Sequence, residues 1–258
     1  MKNTRTLLLV MLALVALLYI GGCAKDGATG PSGPTGPGGP VLTGSLTGYI
    51  TAYDQYGFKV AADQSGVLLT IDNTTDSAIT DGSGKYTFAN LQTGTYSMSI
   101  SKSGYASNRV QDFGYVGGGT TLRNASISRP PYFGLVNLND TIENTIANGP
   151  GILIRGTDTA DTTPRSFIVF GNTSSTVSSA PTNFMFYNSG TIKAGFSAFS
   201  LYVTSRELNE AGIASGSTVY FAVYPIASAQ LSYTDLATGR PFFIAIGTTP
   251  TTLSAIVP

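Results

Sequence analysis

The residues Asp81-Gly82-Ser83-Gly84 are followed directly by Lys85-Tyr86-Thr87-Phe88 and preceded by Ser77-Ala78-Ile79-Thr80. Asp and Gly in this order are typical of a tight turn. From Lys85 to Phe88 polar and apolar side chains alternate, which is the period of a strand with one buried face. The stretch therefore predicts two short strands separated by a turn.

Further strands are predicted on both sides of this turn. In the first half of the chain the strand-like runs are residues 46–53, 66–71, 95–100 and 121–127. After Arg129-Pro130-Pro131, which breaks secondary structure, the runs are residues 134–138, 152–155, 166–170, 198–203, 218–224, 242–246 and 253–257. Short strands at this spacing favour β-sandwiches, because their apolar faces are buried only when two sheets stack.

The sequence thus predicts an all-β fold of two tandem β-sandwiches, at residues 44–130 and 131–258. One short helix is predicted at residues 205–211. Thr204 and Glu207 are spaced as a capping box before it, and Gly212 provides the stop.

The N-terminus has the pattern of a secretory signal, with Lys2 and Arg5 ahead of an apolar run at residues 7–20. The run ends in Ile20-Gly21-Gly22-Cys23, which resembles a bacterial lipobox. This resemblance implies a signal peptide at residues 1–22 and lipid on Cys23. Each buried methylene of an acyl chain adds about 0.8 kcal/mol, so several chains on one cysteine give a lasting membrane anchor. Ala24, directly after the cysteine, is not the aspartate of the enterobacterial retention signal, and Lys25-Asp26 favours surface export. We therefore expect a lipid-anchored outer-membrane protein that faces outward.

Residues 23–43 follow as a spacer. Between Gly27 and Pro40 glycine recurs at every third position with proline frequent between, which is the collagen-type repeat. With so few triplets, a semi-rigid polyproline-II spacer is the preferred interpretation. A trimerising stalk is the alternative.

Composition excludes several classes of function. Only 11% of residues are charged, and removal of Lys2 and Arg5 leaves 12 basic against 14 acidic residues, so no basic face for nucleic acid is expected. The chain has no histidine and one cysteine. Histidine-based nucleophile systems and histidine-ligated zinc are therefore excluded. We expect no catalytic residue, no metal and no cofactor.

Several motifs of the first half resemble the carboxypeptidase regulatory-like domain, a transthyretin-like sandwich found in bacterial surface proteins. In order, they are Gly48-Tyr49-Ile50, Gly66-Val67, Thr80-Asp81-Gly82-Ser83-Gly84-Lys85-Tyr86, Asn90-Leu91-Gln92-Thr93-Gly94-Thr95-Tyr96 and Ser103-Gly104-Tyr105. The resemblance covers most of residues 46–129 and implies no peptidase activity. The second half resembles an immunoglobulin- or fibronectin-type sandwich, and the whole layout is similar to surface lipoproteins of the Bacteroidota.

Three patterns could carry chemistry, and each has a simpler interpretation. Asp72, Asp76 and Asp81 could hold calcium, but their spacing fits no known loop and Asp before Gly is a common turn residue. Ser99-Ile-Ser-Lys102 fits S-x-x-K, but strand alternation puts the two side chains on opposite faces. The third pattern is the pair Glu207 and Glu210, which is expected on a solvated helix and not across a cleft.

Four aspartates begin a D-[ST]-[AILVMT] triplet, the pattern that secreted Bacteroidota proteins use for O-glycosylation. The hydroxyl positions are Ser77, Thr141, Thr159 and Thr162. Such triplets are also ordinary loop sequences, and both interpretations stay open.

Tyrosines recur along the strands, and a row of them on one exposed face could stack on sugar rings. The alternative places them in the core. The sequence therefore predicts a non-enzymatic surface protein with a structural or adhesive role and a surface protein or polysaccharide as partner. A glycan-binding lipoprotein of a nutrient-uptake system is the first alternative, and an enzyme using only carboxylates is the second.

Overall fold

The computed structural model describes residues 41–61, 64–145, 147–159 and 163–258. The strands of the first half are β1 (Thr43–Tyr53), β2 (Leu68–Ile71), β3 (Ser77–Ile79), β4 (Lys85–Gln92), β5 (Gly94–Ser101), β6 (Asn108–Tyr115), β7 (Thr120–Leu122) and β8 (Ala125–Ser128). The second half contains β9 (Leu135–Thr145), β10 (Gly149–Asp158), β11 (Arg165–Asn172), β12 (Phe186–Ile192), β13 (Ala198–Thr204), helix α1 (Ser205–Glu210), β14 (Thr218–Ile226), β15 (Ser232–Thr234), β16 (Pro241–Phe243) and β17 (Thr251–Ile256). The all-β prediction is confirmed.

The first half is built from two sheets that enclose one core. One sheet has the order β4-β1-β7, with β8 also paired to β1, and the other has the order β3-β2-β5-β6. Alternate residues of β1 and β2 are buried in this core, among them Leu46, Ile50, Leu69 and Ile71. The period of two seen in the sequence therefore reflects burial of one face of each sheet.

The turn at residues 81–84 carries the chain from one sheet to the other, because β3 and β4 belong to different sheets. One carboxylate oxygen of Asp81 accepts hydrogen bonds from the Ser83 hydroxyl at 2.6 Å, the Ser83 amide at 2.9 Å and the Lys85 amide at 3.0 Å. These bonds, led by that from the hydroxyl, lower the pKa of Asp81. Gly84 closes the turn with φ +85°, a conformation that favours glycine.

The single strand predicted at residues 121–127 is in fact two strands, β7 and β8, which pair in parallel with successive parts of β1. The break lies at Arg123, whose carbonyl oxygen presses against Gly48 so closely that a Cβ there would be 1.7 Å away. The Tyr86 hydroxyl donates to the same oxygen at 2.7 Å. At this break the Tyr49 amide has no strand partner in β7 or β8 and donates to the side-chain oxygen of Asn124 at 2.9 Å.

In the second half, the sheet that contains β11 and β14 packs against apolar residues on both of its faces. The sheets have the orders β13-β10-β9 and β12-β11-β14-β17, and β15 and β16 form a separate pair. Phe167 and Val169 of β11 face the core between the sheets, whereas Ile168 and Phe170 pack into a second apolar cluster on the opposite face. Because both faces of β11 are buried, residues 167–170 are continuously apolar and do not alternate with polar residues.

Three strands, β6, β12 and β15, are not predicted by the sequence pattern. In β12, Asn188, Ser189 and Gly190 are typical turn residues. Gly190 is required here because the ring of Phe167 occupies the space of its side chain, and a Cβ would lie 2.4 Å from that ring. The predicted helix is confirmed, with a capping box between Thr204 and Glu207. Within the described ranges no helix is long and apolar enough to cross a membrane.

The two halves touch each other directly. Residues 41–258 form one compact unit. In the first half, the turn after β1 contacts the chain that follows β14, where the Ser228 amide donates to the Gln55 carbonyl. A boundary at residue 130 remains a prediction about how independently the two halves fold.

Candidate functional site

Two predicted site residues, Cys23 and Thr162, lie outside the described residues, as do the signal sequence and most of the spacer. Lipidation and anchoring therefore stay predictions. The other three candidate glycosylation positions, Ser77, Thr141 and Thr159, all lie on the surface.

These three positions differ in their surroundings. Ser77 lies in the short edge strand β3 and is exposed next to exposed Asp76. Thr141 is exposed on β9 and accepts a hydrogen bond from Arg155 at 3.0 Å. Thr159 differs, because the aspartate that begins its triplet, Asp158, is buried in an ion pair.

The acidic residues considered for calcium do not converge. Asp72 accepts a hydrogen bond from the Ser99 hydroxyl at 2.8 Å and forms an ion pair with Arg109 at 2.5 Å. Asp81 accepts hydrogen bonds within its own turn. No group of three His, Cys, Asp or Glu residues in the described part of the chain could hold a metal ion.

The other two candidate pairs are engaged separately. Lys102 donates to the Ser65 carbonyl at 2.6 Å, away from Ser99, which donates to Asp72. Glu207 caps α1, and Glu210 pairs with Arg206 at 2.7 Å. Neither pair forms an arrangement for acyl transfer or glycoside hydrolysis.

The tyrosines do not form one exposed row. Tyr86 and Tyr224 are buried in the core, and the hydroxyl of Tyr202 donates to the backbone carbonyls of Glu143 and Gly149. Among the tyrosines that lie in the described strands, the exposed ones are Tyr49 and Tyr187, which are in different halves of the chain.

The structure places an aromatic ring, a cation and two hydroxyls around one cavity between the edge strands β12 and β13. We call it the rim groove, and its lining residues are Thr191, Lys193, Phe196, Ala198, Phe199 and Ser200. Its volume is 250 Å³. Phe196 is 61% exposed at the tip of the connection, whereas Phe199 is buried and packs on Phe167.

A buried ion pair holds the backbone of this tip. Arg165 and Asp158 are bonded to each other, with both side chains fully inaccessible to solvent. Arg165 also donates to the Phe196 carbonyl at 2.8 Å, and the Asp158 amide donates to the Ser197 carbonyl at 2.9 Å. Burying two charges costs several kcal/mol of desolvation each, so the pair itself is weak support for stability. The tip is held by the hydrogen bonds that these two residues donate to the Phe196 and Ser197 carbonyls.

In the rim groove, the polar groups are available to a ligand. Within the described ranges, the side chains of Thr191, Lys193 and Ser200 have no hydrogen-bond or ion-pair partner. Sequence analysis missed this site because Phe196 and Lys193 have no motif. A signal was present in the charge pattern, since residues 162–206 contain no Asp or Glu.

Another cavity, of 290 Å³, lies where the chain passes from one half to the other. It is lined by Pro131, Tyr132, Phe133, Gly134, Pro225, Gly247, Thr248 and Thr249. The Tyr132 hydroxyl is bonded to that of Tyr56. These residues supply no charged group, so the rim groove is the better candidate for specific recognition.

Three features organise the first half: a buried Tyr86 whose hydroxyl donates to the Arg123 carbonyl, an Asp81 turn between the two sheets, and β1 at the centre of its sheet. Residues 57–128 match the carboxypeptidase regulatory-like domain. The resemblance of the first half to this domain is thereby confirmed. The matched segment of this regulatory-like domain begins after β1, although β1 pairs with β4, β7 and β8.

Similarity to solved structures is distant. A type II cohesin–X-dockerin complex from Acetivibrio cellulolyticus is 19% identical, with a TM-score of 0.29, over 33% of this chain and 58% of that one. A candidate carbohydrate-binding protein from Bacteroides uniformis is 14% identical over 83% of this chain and all of that one, with a TM-score of 0.27. A DUF3823 family protein from Parabacteroides merdae is 13% identical over 82% and 99%, with a TM-score of 0.28. No curated protein sequence matches the chain. Similarities at this level transfer neither ligand nor activity.

Proposed function

We propose that this chain is a non-enzymatic cell-surface protein that binds a surface protein or polysaccharide. Lipid on Cys23 anchors it in the outer membrane. Its role is structural or adhesive. The observation that carries the proposal is the rim groove, in which Phe196 and Lys193 are exposed on a connection that the buried Arg165–Asp158 pair holds in place.

Fixed geometry supports a binding role, since a preorganised surface loses little conformational entropy when it takes up a partner. A backbone hydrogen bond from the Ser228 amide to the Gln55 carbonyl joins the two halves of the chain. It ties the half that carries the groove to the regulatory-like domain that precedes it.

The anchoring part is tested in the native host with an alkyne-labelled fatty acid. We expect the full chain to take up the label and to be cleaved by protease added to intact cells. The variant Cys23→Ser should lose the label and the membrane fraction. Label retained by Cys23→Ser would contradict the proposed anchor.

The binding part is tested with the mature chain carrying Cys23→Ser, screened against a glycan array and against surface proteins of the host and of neighbouring cells. Binding that is lost in Phe196→Ala and kept in Phe58→Ala would support the groove as the site. Phe58 is a suitable control because it is 62% exposed, close to the 61% of Phe196, but lies in the first half.

A glycan-binding role in nutrient uptake is the second candidate. It is favoured by the hydroxyls of Thr191 and Ser200, which lie beside the Phe196 ring in one cavity. Deletion of the gene separates the two roles. Slower growth on one polysaccharide supports uptake, and weaker attachment with unchanged growth supports adhesion.

A further inference from the structure

We propose that the rim groove binds a hexuronate ring of an acidic polysaccharide, with Phe196 stacked on the sugar face and Lys193 paired with the carboxylate. The inference rests on the proposed surface-binding function and names the ligand of its site. It is carried by the aromatic ring, the cation and the hydroxyls that converge on one cavity.

The aromatic part of the site favours a flat ligand with one apolar face. Exposed aromatic side chains with a fixed backbone offer such a face at little entropic cost. The Phe196 amide donates to the Lys193 carbonyl at 3.2 Å, and its own carbonyl accepts from Arg165. The backbone that carries the ring is therefore held from both sides.

The charge of the site favours an acid. Lys193 is exposed and lies in a stretch, residues 162–206, that has no carboxylate of its own. Asp158 lies near the tip, because its backbone amide donates to the Ser197 carbonyl. The negative charge of its side chain is paired with Arg165. Among the described residues Lys193 has no ion-pair partner, so its ammonium group is available to an anionic ligand.

The hydroxyls and the size of the site favour a sugar within a chain. Thr191 and Ser200 add two groups that can both donate and accept hydrogen bonds, as ring hydroxyls require. At 250 Å³ the cavity is below the range of about 300–1,000 Å³ typical of sites that enclose a small ligand. One ring would occupy it while the rest of the polymer continues along the surface.

The test uses the mature chain carrying Cys23→Ser and three polymers: polygalacturonate, neutral galactan and polyglutamate. We expect polygalacturonate to bind most tightly, with an affinity that falls as salt is raised. Phe196→Ala should weaken this binding about 10-fold, as loss of an aromatic contact does. Lys193→Gln should weaken it about 5-fold and should abolish the preference over galactan.

The matched controls are Phe58→Ala and Lys59→Gln, which alter an exposed aromatic ring and an exposed lysine outside the groove. Polygalacturonate binding that both groove variants keep would overturn the site and leave the surface-binding function standing. Equal binding of polyglutamate would overturn the sugar and reduce the groove to a charge effect. A wild-type protein that binds no glycan and no surface protein in the wider screen would overturn the proposed function as well.

Discussion

The backbone amide of Ser228 donates a hydrogen bond of 2.9 Å to the carbonyl oxygen of Gln55. Gln55 belongs to the turn after β1, and Ser228 follows β14, so the bond joins the two halves of the chain. Gly57 packs at the same place, with φ +84°, and a Cβ on it would lie 3.3 Å from the Ala229 nitrogen.

Substitution of this glycine should loosen the junction. In Gly57→Ala we expect the Ser228 amide to exchange its hydrogen faster, measured by mass spectrometry. Gly66→Ala is the control, since Gly66 has φ +73° with no atom within 4 Å of a Cβ. Both variants should lose about 1–2 kcal/mol of unfolding free energy from the left-handed backbone. Equal exchange at Ser228 in the two variants would contradict a specific junction.

Loss of one partner from the buried ion pair should be severe. Asp158→Ala leaves the Arg165 guanidinium buried without its carboxylate, which should cost about 3–5 kcal/mol in denaturant unfolding. Glu143→Ala removes the partner of Arg155, whose side chain is 43% exposed, and should cost less than about 1 kcal/mol. Similar losses in both variants would mean that burial does not distinguish the two pairs.

Replacing both partners should separate stability from geometry. In the double variant Asp158→Leu with Arg165→Met, we expect much of the stability to return, because no uncompensated charge remains. The bond from Arg165 to the Phe196 carbonyl is lost in this variant. Trypsin should therefore cut after Lys193 faster than in the wild type. Unchanged cleavage would show that other contacts fix the tip.

The regulatory-like domain should lose stability in alkali. Burial raises the pKa of Tyr86 to about 12, and Arg123 opposes this shift. Between its ordinary pKa of 10.0 and about 12, the native state keeps a proton that the unfolded chain releases, so the free energy of unfolding falls as pH rises through this window. Thermal melts at each pH should show a shallower decline in Tyr86→Phe.

The control for this slope is Tyr49→Phe, since Tyr49 is 44% exposed. This variant keeps the buried Tyr86 hydroxyl, so the alkaline decline assigned to Tyr86 should persist. At neutral pH, Tyr86→Phe should cost about 1 kcal/mol, because the Arg123 carbonyl loses the hydroxyl that donates to it. An alkaline slope that persists in full in Tyr86→Phe would assign it to other groups, such as Tyr233, whose pKa burial also raises.

If the D-[ST] triplets are glycosylated, the modification should be selective. Ser77 and Thr141 offer exposed hydroxyls, whereas the Asp158 side chain beside Thr159 is inaccessible. We expect intact-mass spectra of protein from its native host to lose one glycan in Ser77→Ala and in Thr141→Ala, and none in Thr159→Ala. A spectrum of the wild type without added hexose or deoxyhexose would exclude the modification.

Local signals in the sequence predicted local structure well. The Asp81 turn and the Thr204–Glu207 capping box depend on residues within a few positions of each other, so their chemistry can be read directly. The division of residues 121–127 into β7 and β8 could not be predicted, because it depends on the approach of the Arg123 carbonyl to Gly48, which is distant in sequence. Likewise, Gly190 alone suggests a turn. Its place in β12 is explained only by the ring of Phe167, which fills the space that a side chain would need.

The candidate site is a similar case. Its parts come from the ends of β10 and β11 and from the connection between β12 and β13, so no spacing in the sequence links Arg165 to Phe196. The aromatic pattern visible in the sequence is that of tyrosines on strands, whereas the exposed ring of the groove belongs to Phe196 at the tip of a connection. Only the acid-free stretch at residues 162–206 pointed to this region.

The pairing of β1 also constrains the order of folding. Its parallel partners, β7 and β8, lie far along the chain, and the last of them ends at Ser128. A chain that emerges N-terminus first thus keeps one side of β1 open until Ser128 arrives, and such long-range closure is slow. An open strand edge is a template for aggregation. Truncation between β4 and β7 should therefore yield an insoluble fragment and not a smaller stable domain.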